Sequence, residues 1–140
     1  MLVLIADDDP DWTNLASTWV EGEADTRHVT TRMFAEPDLM LQAVTEGSES
    51  VSKAVVFLDL EFSNKGVNGI DTLRRLKSHE DERVRNVPVV IYSRSASPEE
   101  IDESYANQAN SFVNKGKGKR QKEIFLDTIR FWMQTAKLPS

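Results

Sequence analysis

The chain has 140 residues, 39% of them hydrophobic and 29% charged, with no cysteine and a net charge of -6. That length suits one domain of about 100–150 residues, and the composition is that of a globular chain rather than a disordered one. Lack of thiols excludes disulfides, cysteine nucleophiles and thiolate-held zinc or iron–sulfur clusters. Apolar runs of about five residues are far too short for a membrane span, and an acidic chain is a poor match for DNA or RNA.

The N-terminus, MLVLIADDD, carries no basic leader and runs straight from an apolar stretch into acid. It does not read as a signal peptide, so a cytoplasmic address is expected. Leu2–Ala6 reads as the first strand. Asp9-Pro10 then supplies an N-cap and an N1 proline for a first helix, whose apolar stripe is Trp12, Leu15, Ala16 and Trp19. Residues 27–34 alternate, with Val29, Thr31 and Met33 on one face, as an edge strand would. A short helix over 38–44 follows Pro37. Ala54–Leu58 is a second run apolar throughout, ending in Asp59. A helix marked by Ile70, Leu73 and Leu76 comes next, with Asn68 as its cap. Residues 87–92 form a third apolar run, ending in Ser93. Ser97-Pro98 opens a fourth helix, residues 111–113 form a weak last strand before Lys115, and a final helix covers 122–137.

Strands alternating with helices predict an α/β fold: a doubly wound, five-stranded parallel sheet with right-handed crossovers. Residues 1–140 read as a single domain that includes the last helix and tail, 122–140. Runs apolar on both faces are what a sheet covered on both sides requires. Five such units suit the flavodoxin-like (βα)5 arrangement with strand order 2-1-3-4-5, which puts ligands beyond the carboxyl ends of the strands. Charge is unevenly spread: residues 1–50 hold eleven acids and two arginines, residues 111–140 two acids and seven bases. An acidic head and a basic tail are therefore expected to meet.

Each apolar run delivers a polar residue to that rim. Strand 1 brings Asp7, Asp8 and Asp9, strand 3 Asp59, strand 4 Ser93 and strand 5 Lys115. Carboxylates that close raise one another's pKa unless a cation neutralises them. Oxygen-only donors with no histidine at a strand end favour Mg²⁺. A carboxylate beside Mg²⁺, a hydroxyl and a lysine makes a phosphoryl-transfer site, with Asp59 as nucleophile and Lys115 and Ser93 on the phosphoryl oxygens. Taken singly, Asp9 is explained by helix capping, Asp59 by a solvated strand end, and Lys117, Lys119 and Arg120 by a solvated basic loop.

The ordered set Asp7-Asp8, Asp59, Ser93 and Lys115 resembles the receiver domain of two-component response regulators over essentially the whole chain. The resemblance implies that Asp8 ligates Mg²⁺, Asp7 orients a metal water, Asp59 accepts the phosphoryl group and Glu61 lends its backbone carbonyl. It further implies a Ser93–Phe112 switch, a sensor histidine kinase as donor, and a readout face formed by the fourth helix, the fifth strand and the last helix. The chain departs from the family in two places. Gly116 follows the lysine where proline is usual, and a non-proline cis bond costs about 2.5–4 kcal/mol, so a trans bond is expected. Gly69 lies ten residues after Asp59, two more than is usual, which lengthens the 60–69 loop.

The segment FWMQTAKLPS (131–140) is similar to the tail of small single-domain regulators paired with phytochromes, in which the last helix and tail help form a dimer. In the last helix Phe125, Ile129, Trp132 and Ala136 form one stripe, and Ile124, Phe131 and Leu138 an offset second one. One sheet needs only one stripe. The second, with Trp132, is read as a homodimer surface, although a tail folded back would also cover it. As no output domain follows residue 140, protein association is the expected readout. Two rival readings stand beside this one. Asp59-Leu60-Glu61 faintly resembles the haloacid-dehalogenase nucleophile motif, which would make the chain a small Mg²⁺-dependent phosphatase. A receiver-like module that binds partners without phosphorylation is the other.

Overall fold

The computed structural model describes residues 1–46, 52–62 and 68–139. Residues 63–67 of the lengthened loop, and Ser140, lie outside them. The strands are β1 (Leu2–Ala6), β2 (Thr30–Phe34), β3 (Ala54–Leu58), β4 (Val89–Ser93) and β5 (Ser111–Asn114). The α-helices are α1 (Pro10–Gly22), α2 (Pro37–Thr45), α3 (Gly69–Lys77), α4 (Glu82–Arg85), α5 (Pro98–Ala106) and α6 (Arg120–Arg130), and a π-helical turn (Phe131–Thr135) follows α6. All strand pairs are parallel and the order is β2-β1-β3-β4-β5, the expected flavodoxin-like arrangement.

Residue parity sorts the strands' side chains to the two faces. Leu4, Val56, Leu58, Val89 and Ile91 face α2 and α3, whose Met40, Val44, Ile70, Leu73 and Leu76 complete one core. Val3, Ile5, Val55, Phe57, Val90 and Tyr92 face α1 and α6, and Trp12, Ala16, Val20, Phe125, Leu126 and Ile129 complete the other. Each fully buried aliphatic side chain contributes about 1.5–3 kcal/mol. β3 and β4 are buried at every position, as central strands of a sheet covered on both sides must be.

Local chemistry sets the boundaries. The Asp9 side chain caps α1 by accepting from the Asp11 and Trp12 backbone N–H groups, Asn68 caps α3 through Ile70, and Ser97 caps α5 through Glu100. The second strand is shorter than its sequence pattern. Thr26 and Val29 turn back on Glu23 and Thr26, so pairing starts at Thr30. The fourth strand starts at Val89 rather than at 87, because Pro88 has no N–H to give and offers only its carbonyl, to Val56. α4 was not expected: it is one turn capped by Asp81, and only Val84 is buried in it. The final helix is α-helical only over Arg120–Arg130 and then widens into the π-helical turn.

The acidic head and basic tail meet where α1 and α6 run side by side. Arg130 pairs with Asp25 at 2.8 and 3.2 Å, and Lys122 lies 4.0 Å from Glu23. Both pairs are exposed and contribute little to stability. The tail folds back: the Lys53 backbone N–H donates to the Pro139 carbonyl at 3.1 Å, and Leu138 packs on the α1/α6 core. Ile124 and Trp132 pack there too, whereas Phe131 is 50% exposed. The second stripe is therefore divided, with Ile124 and Leu138 half-covered by the chain itself and Phe131 open to solvent.

Candidate functional site

The carboxyl ends of β1, β3, β4 and β5 bring together residues far apart in the chain. Asp7 follows β1; its backbone N–H donates to the Phe34 carbonyl at 2.9 Å, and its Oδ1 accepts from the Asp9 N–H at 2.9 Å. The residue that caps α1 thereby also orients Asp7. Asp59 follows β3, donates its N–H to the Ala6 carbonyl at 3.0 Å, and accepts at Oδ1 from the Glu61 N–H at 3.2 Å. Lys115 follows β5, and its backbone N–H donates to the Ser93 carbonyl at 2.9 Å.

The Lys115 ammonium reaches inward from that anchor. It donates to Asp59 Oδ2 at 3.1 Å and also to Asp7 Oδ2. All three side chains are buried: Lys115 is 1% exposed, Asp7 4% and Asp59 6%. Burial holds the Asp7 carboxyl above the usual carboxylate range against the opposing pull of Lys115, and the neighbouring Asp59 charge adds to the rise. Two buried carboxylates facing one ammonium leave this cluster one positive charge short. Asp8, half-buried, borders it, and Glu61 is exposed with its backbone N–H on Asp59.

Such a donor set fits a hard divalent cation, since every candidate ligand is an oxygen and the cluster lacks positive charge. Among the described residues no three carboxylates or histidines are already gathered at metal-binding distance. Lys115 draws Asp7 and Asp59 together instead.

Ser93 ends β4, is fully buried, and its Oγ accepts from the Ser95 N–H at 3.3 Å. The loop beyond it is tied down by Glu100, whose Oε1 accepts from the Ser97 hydroxyl at 2.9 Å and from that of Ser95. Phe112 is half-buried against the α2/α3 core, and its backbone N–H donates to the Tyr105 hydroxyl at 3.1 Å. Among the described residues there is no cis peptide bond, and Gly116 takes a φ of +75°, which glycine adopts readily. The 115–116 bond is thus trans, as expected.

Sequence reasoning placed Trp12 only in an apolar stripe. In the fold its indole underlies the site, with the Lys115 Nζ 4.7 Å from the ring centroid. Tyr92 lies on the same side at 6.0 Å, and its buried hydroxyl has its pKa raised by burial and by the Asp7 charge. The available signal was Trp12's position, four residues past Asp8 on the first turn of α1. Arg94, next to Ser93, pairs with Asp9 at 3.6 Å across the rim.

The response regulator receiver domain model matches residues 3–124. Solved structures share the fold over nearly the whole chain. The phosphorylated cyanobacterial phytochrome response regulator RcpA is 20% identical, with 99% of this chain and 98% of that one covered and a TM-score of 0.83. The response regulator RPA3017, in red light signalling of R. palustris, is 27% identical, with coverage of 99% and 98% and a TM-score of 0.79. The Mn²⁺-bound form of the response regulator Rcp1 is 17% identical, with 99% of each chain covered and a TM-score of 0.81. No curated protein sequence matches this one.

Proposed function

This chain belongs to the response regulator receiver domain family of two-component signalling, and we propose that Asp59 is its phosphoacceptor. The observation that carries this reading is the buried Asp7–Lys115–Asp59 cluster, in which one ammonium touches two carboxylates from different strands. An Asp59 carboxylate oxygen attacks the phosphorus of the donor. The bond from phosphorus to the donor breaks, its electron pair leaves with the donor, and Asp59 becomes an aspartyl phosphate. Lys115 then neutralises one phosphoryl oxygen and the Ser93 hydroxyl bonds a second.

Asp8, Asp59 and the Glu61 backbone carbonyl are the residues that would hold Mg²⁺, with Asp7 orienting a metal-bound water. The ion supplies charge neutralisation where the incoming phosphoryl group meets the acids. The donor we assign is a sensor histidine kinase in the cytoplasm, of phytochrome type; the likeness to RcpA and RPA3017 supports that class. Among the described residues no helix is long and apolar enough to cross a membrane.

The Ser93 hydroxyl, which accepts from the Ser95 N–H, has its own O–H to donate to the phosphoryl group. Ser93 turns toward that group and Phe112 follows it, reshaping the face made by α5, β5 and α6. The output is altered protein association rather than DNA binding, including a homodimer through that face and the tail, with Ile124, Phe131 and Trp132 in contact. Intact-mass spectrometry after incubation with acetyl phosphate and Mg²⁺ tests the core of this reading. One phosphoryl group per chain is expected, with none on Asp59→Asn. Labelling of Asp59→Asn would mean another residue is the acceptor, and many turnovers on small phosphate esters would make the chain a hydrolase.

A further inference from the structure

Two buried polar groups lie beside Lys115 without a hydrogen-bond partner: Trp12 Nε1 and the Tyr92 hydroxyl. An unpaired buried donor is unfavourable. The Trp12 indole packs in the α1/α6 core, yet its N–H finds no acceptor there. Its plane is set on two sides, by Tyr92 with centroids 5.5 Å apart and by Phe125 meeting it edge-on at 5.3 Å. Trp12 is 5% exposed, and its face rather than its N–H lies under the Lys115 ammonium at 4.7 Å. A desolvated ammonium over an indole face is attracted by the ring quadrupole.

We propose that the Trp12 indole face is the seat of the Lys115 ammonium, which makes Trp12 a positioning residue for phosphoryl transfer to Asp59. The kinetic consequence rests on the phosphoacceptor reading; the contact itself does not. An ammonium has only three N–H directions, and two already go to Asp7 and Asp59. A π face attracts the cation without competing for an acceptor oxygen. Lys115 can therefore turn a hydrogen from a carboxylate to a phosphoryl oxygen while its charge stays compensated from below. The Asp9 cap holds the first turn of α1, and through it both Trp12 and Asp7.

Two measurements on the full chain test this. The first uses 5-fluorotryptophan labelling, which gives one fluorine resonance for each of the three tryptophans, assigned by Trp→Phe variants. Lys115→Met is expected to move the Trp12 resonance and leave those of Trp19 and Trp132 in place; an unmoved Trp12 resonance would overturn the proposal. The second compares the rates at which acetyl phosphate and Mg²⁺ label Trp12→Leu and Trp12→Phe. Removing the ring is expected to slow labelling about tenfold, as loss of one desolvated cation–π contact would, and phenylalanine to restore most of it. Equal rates for the two variants would overturn the positioning role. If the unaltered chain takes up no phosphoryl group, the phosphoacceptor reading fails, and the fluorine measurement still decides the seat.

Discussion

Gly69 opens α3 with its α-carbon against the backbone of Asp59: a methyl group added there would lie 2.2 Å from the Asp59 carbonyl oxygen and 3.1 Å from the Leu60 α-carbon. Both neighbours are backbone atoms, which cannot swing aside as a side chain would. The Gly69 N–H also donates to the Leu60 carbonyl at 3.0 Å, so helix and strand end are joined at this point. Gly69→Ala must push the helix away from Asp59 or displace the Asp59 backbone. The expected loss is about 1–3 kcal/mol, read from urea unfolding, together with slower labelling of Asp59. An unchanged unfolding midpoint would mean that the helix start yields freely.

The Asp7 carboxyl gives a pH dependence whose sign follows from its burial. Its pKa in the folded chain is raised above the ordinary carboxylate value. Between those two values the folded chain holds a proton that the unfolded chain has released, so stability falls as pH rises through that window. Asp7→Asn lacks this slope. In a chelating buffer, the stability of the variant relative to the unaltered chain is expected to improve from acid to neutral pH. Parallel curves across that range, measured by urea unfolding, would contradict it.

Lys77 provides the opposite slope at the other end of the sheet. Its ammonium donates to the Val87 carbonyl at 2.8 Å, Asn110 Oδ1 at 2.9 Å and the Arg85 carbonyl at 3.3 Å, tying α3 to the segments that enter β4 and β5. Burial lowers its pKa to about 8, from the 10.5 of an ordinary lysine. Above about 8 the folded chain sheds a proton that the unfolded chain keeps until near 10.5, so this group's contribution to stability rises with pH in that interval. Lys77→Met should destabilise the fold by about 1–3 kcal/mol at neutral pH, with a deficit that widens as the buffer is made alkaline. A deficit that stays constant would show that Lys77 does not titrate there.

The legible part of the site was its set of strand-end residues. Asp7, Asp59, Ser93 and Lys115 each terminate an apolar run, and a parallel sheet carries such ends to one rim whatever the loops do. The strand order was legible because five βα units suit the 2-1-3-4-5 arrangement, with the alternating run as an edge. Trp12 was not legible as a site residue. An apolar residue on a helix stripe reads the same whether it meets a leucine or an ammonium, and only the packed fold brings Lys115 over it. α4 was missed because a single turn with one buried residue has no period to detect. The π-helical turn was missed because Phe131 and Trp132 continue the apolar spacing past the residue where the hydrogen-bond pattern changes.

Phe131 separates the self-association reading from core packing, since it is half exposed at the end of α6 while its neighbour Trp132 packs against the core. The two rings meet edge-on with centroids 5.3 Å apart, which holds Phe131 outward as a ready apolar contact. Replacing it removes that edge contact but no buried core side chain, so Phe131→Glu should cost about 0.5–1.5 kcal/mol of stability. If the face made by α5, β5 and α6, together with the tail, pairs two chains through Phe131, the same change buries a charge in the interface, and an anchor of that kind is worth about 2 kcal/mol or more. Sedimentation equilibrium, run with and without acetyl phosphate and Mg²⁺, should then give a dissociation constant weakened by at least about tenfold. Identical profiles for variant and unaltered chain would remove Phe131 from the interface, and a chain monomeric under both conditions would remove the interface itself.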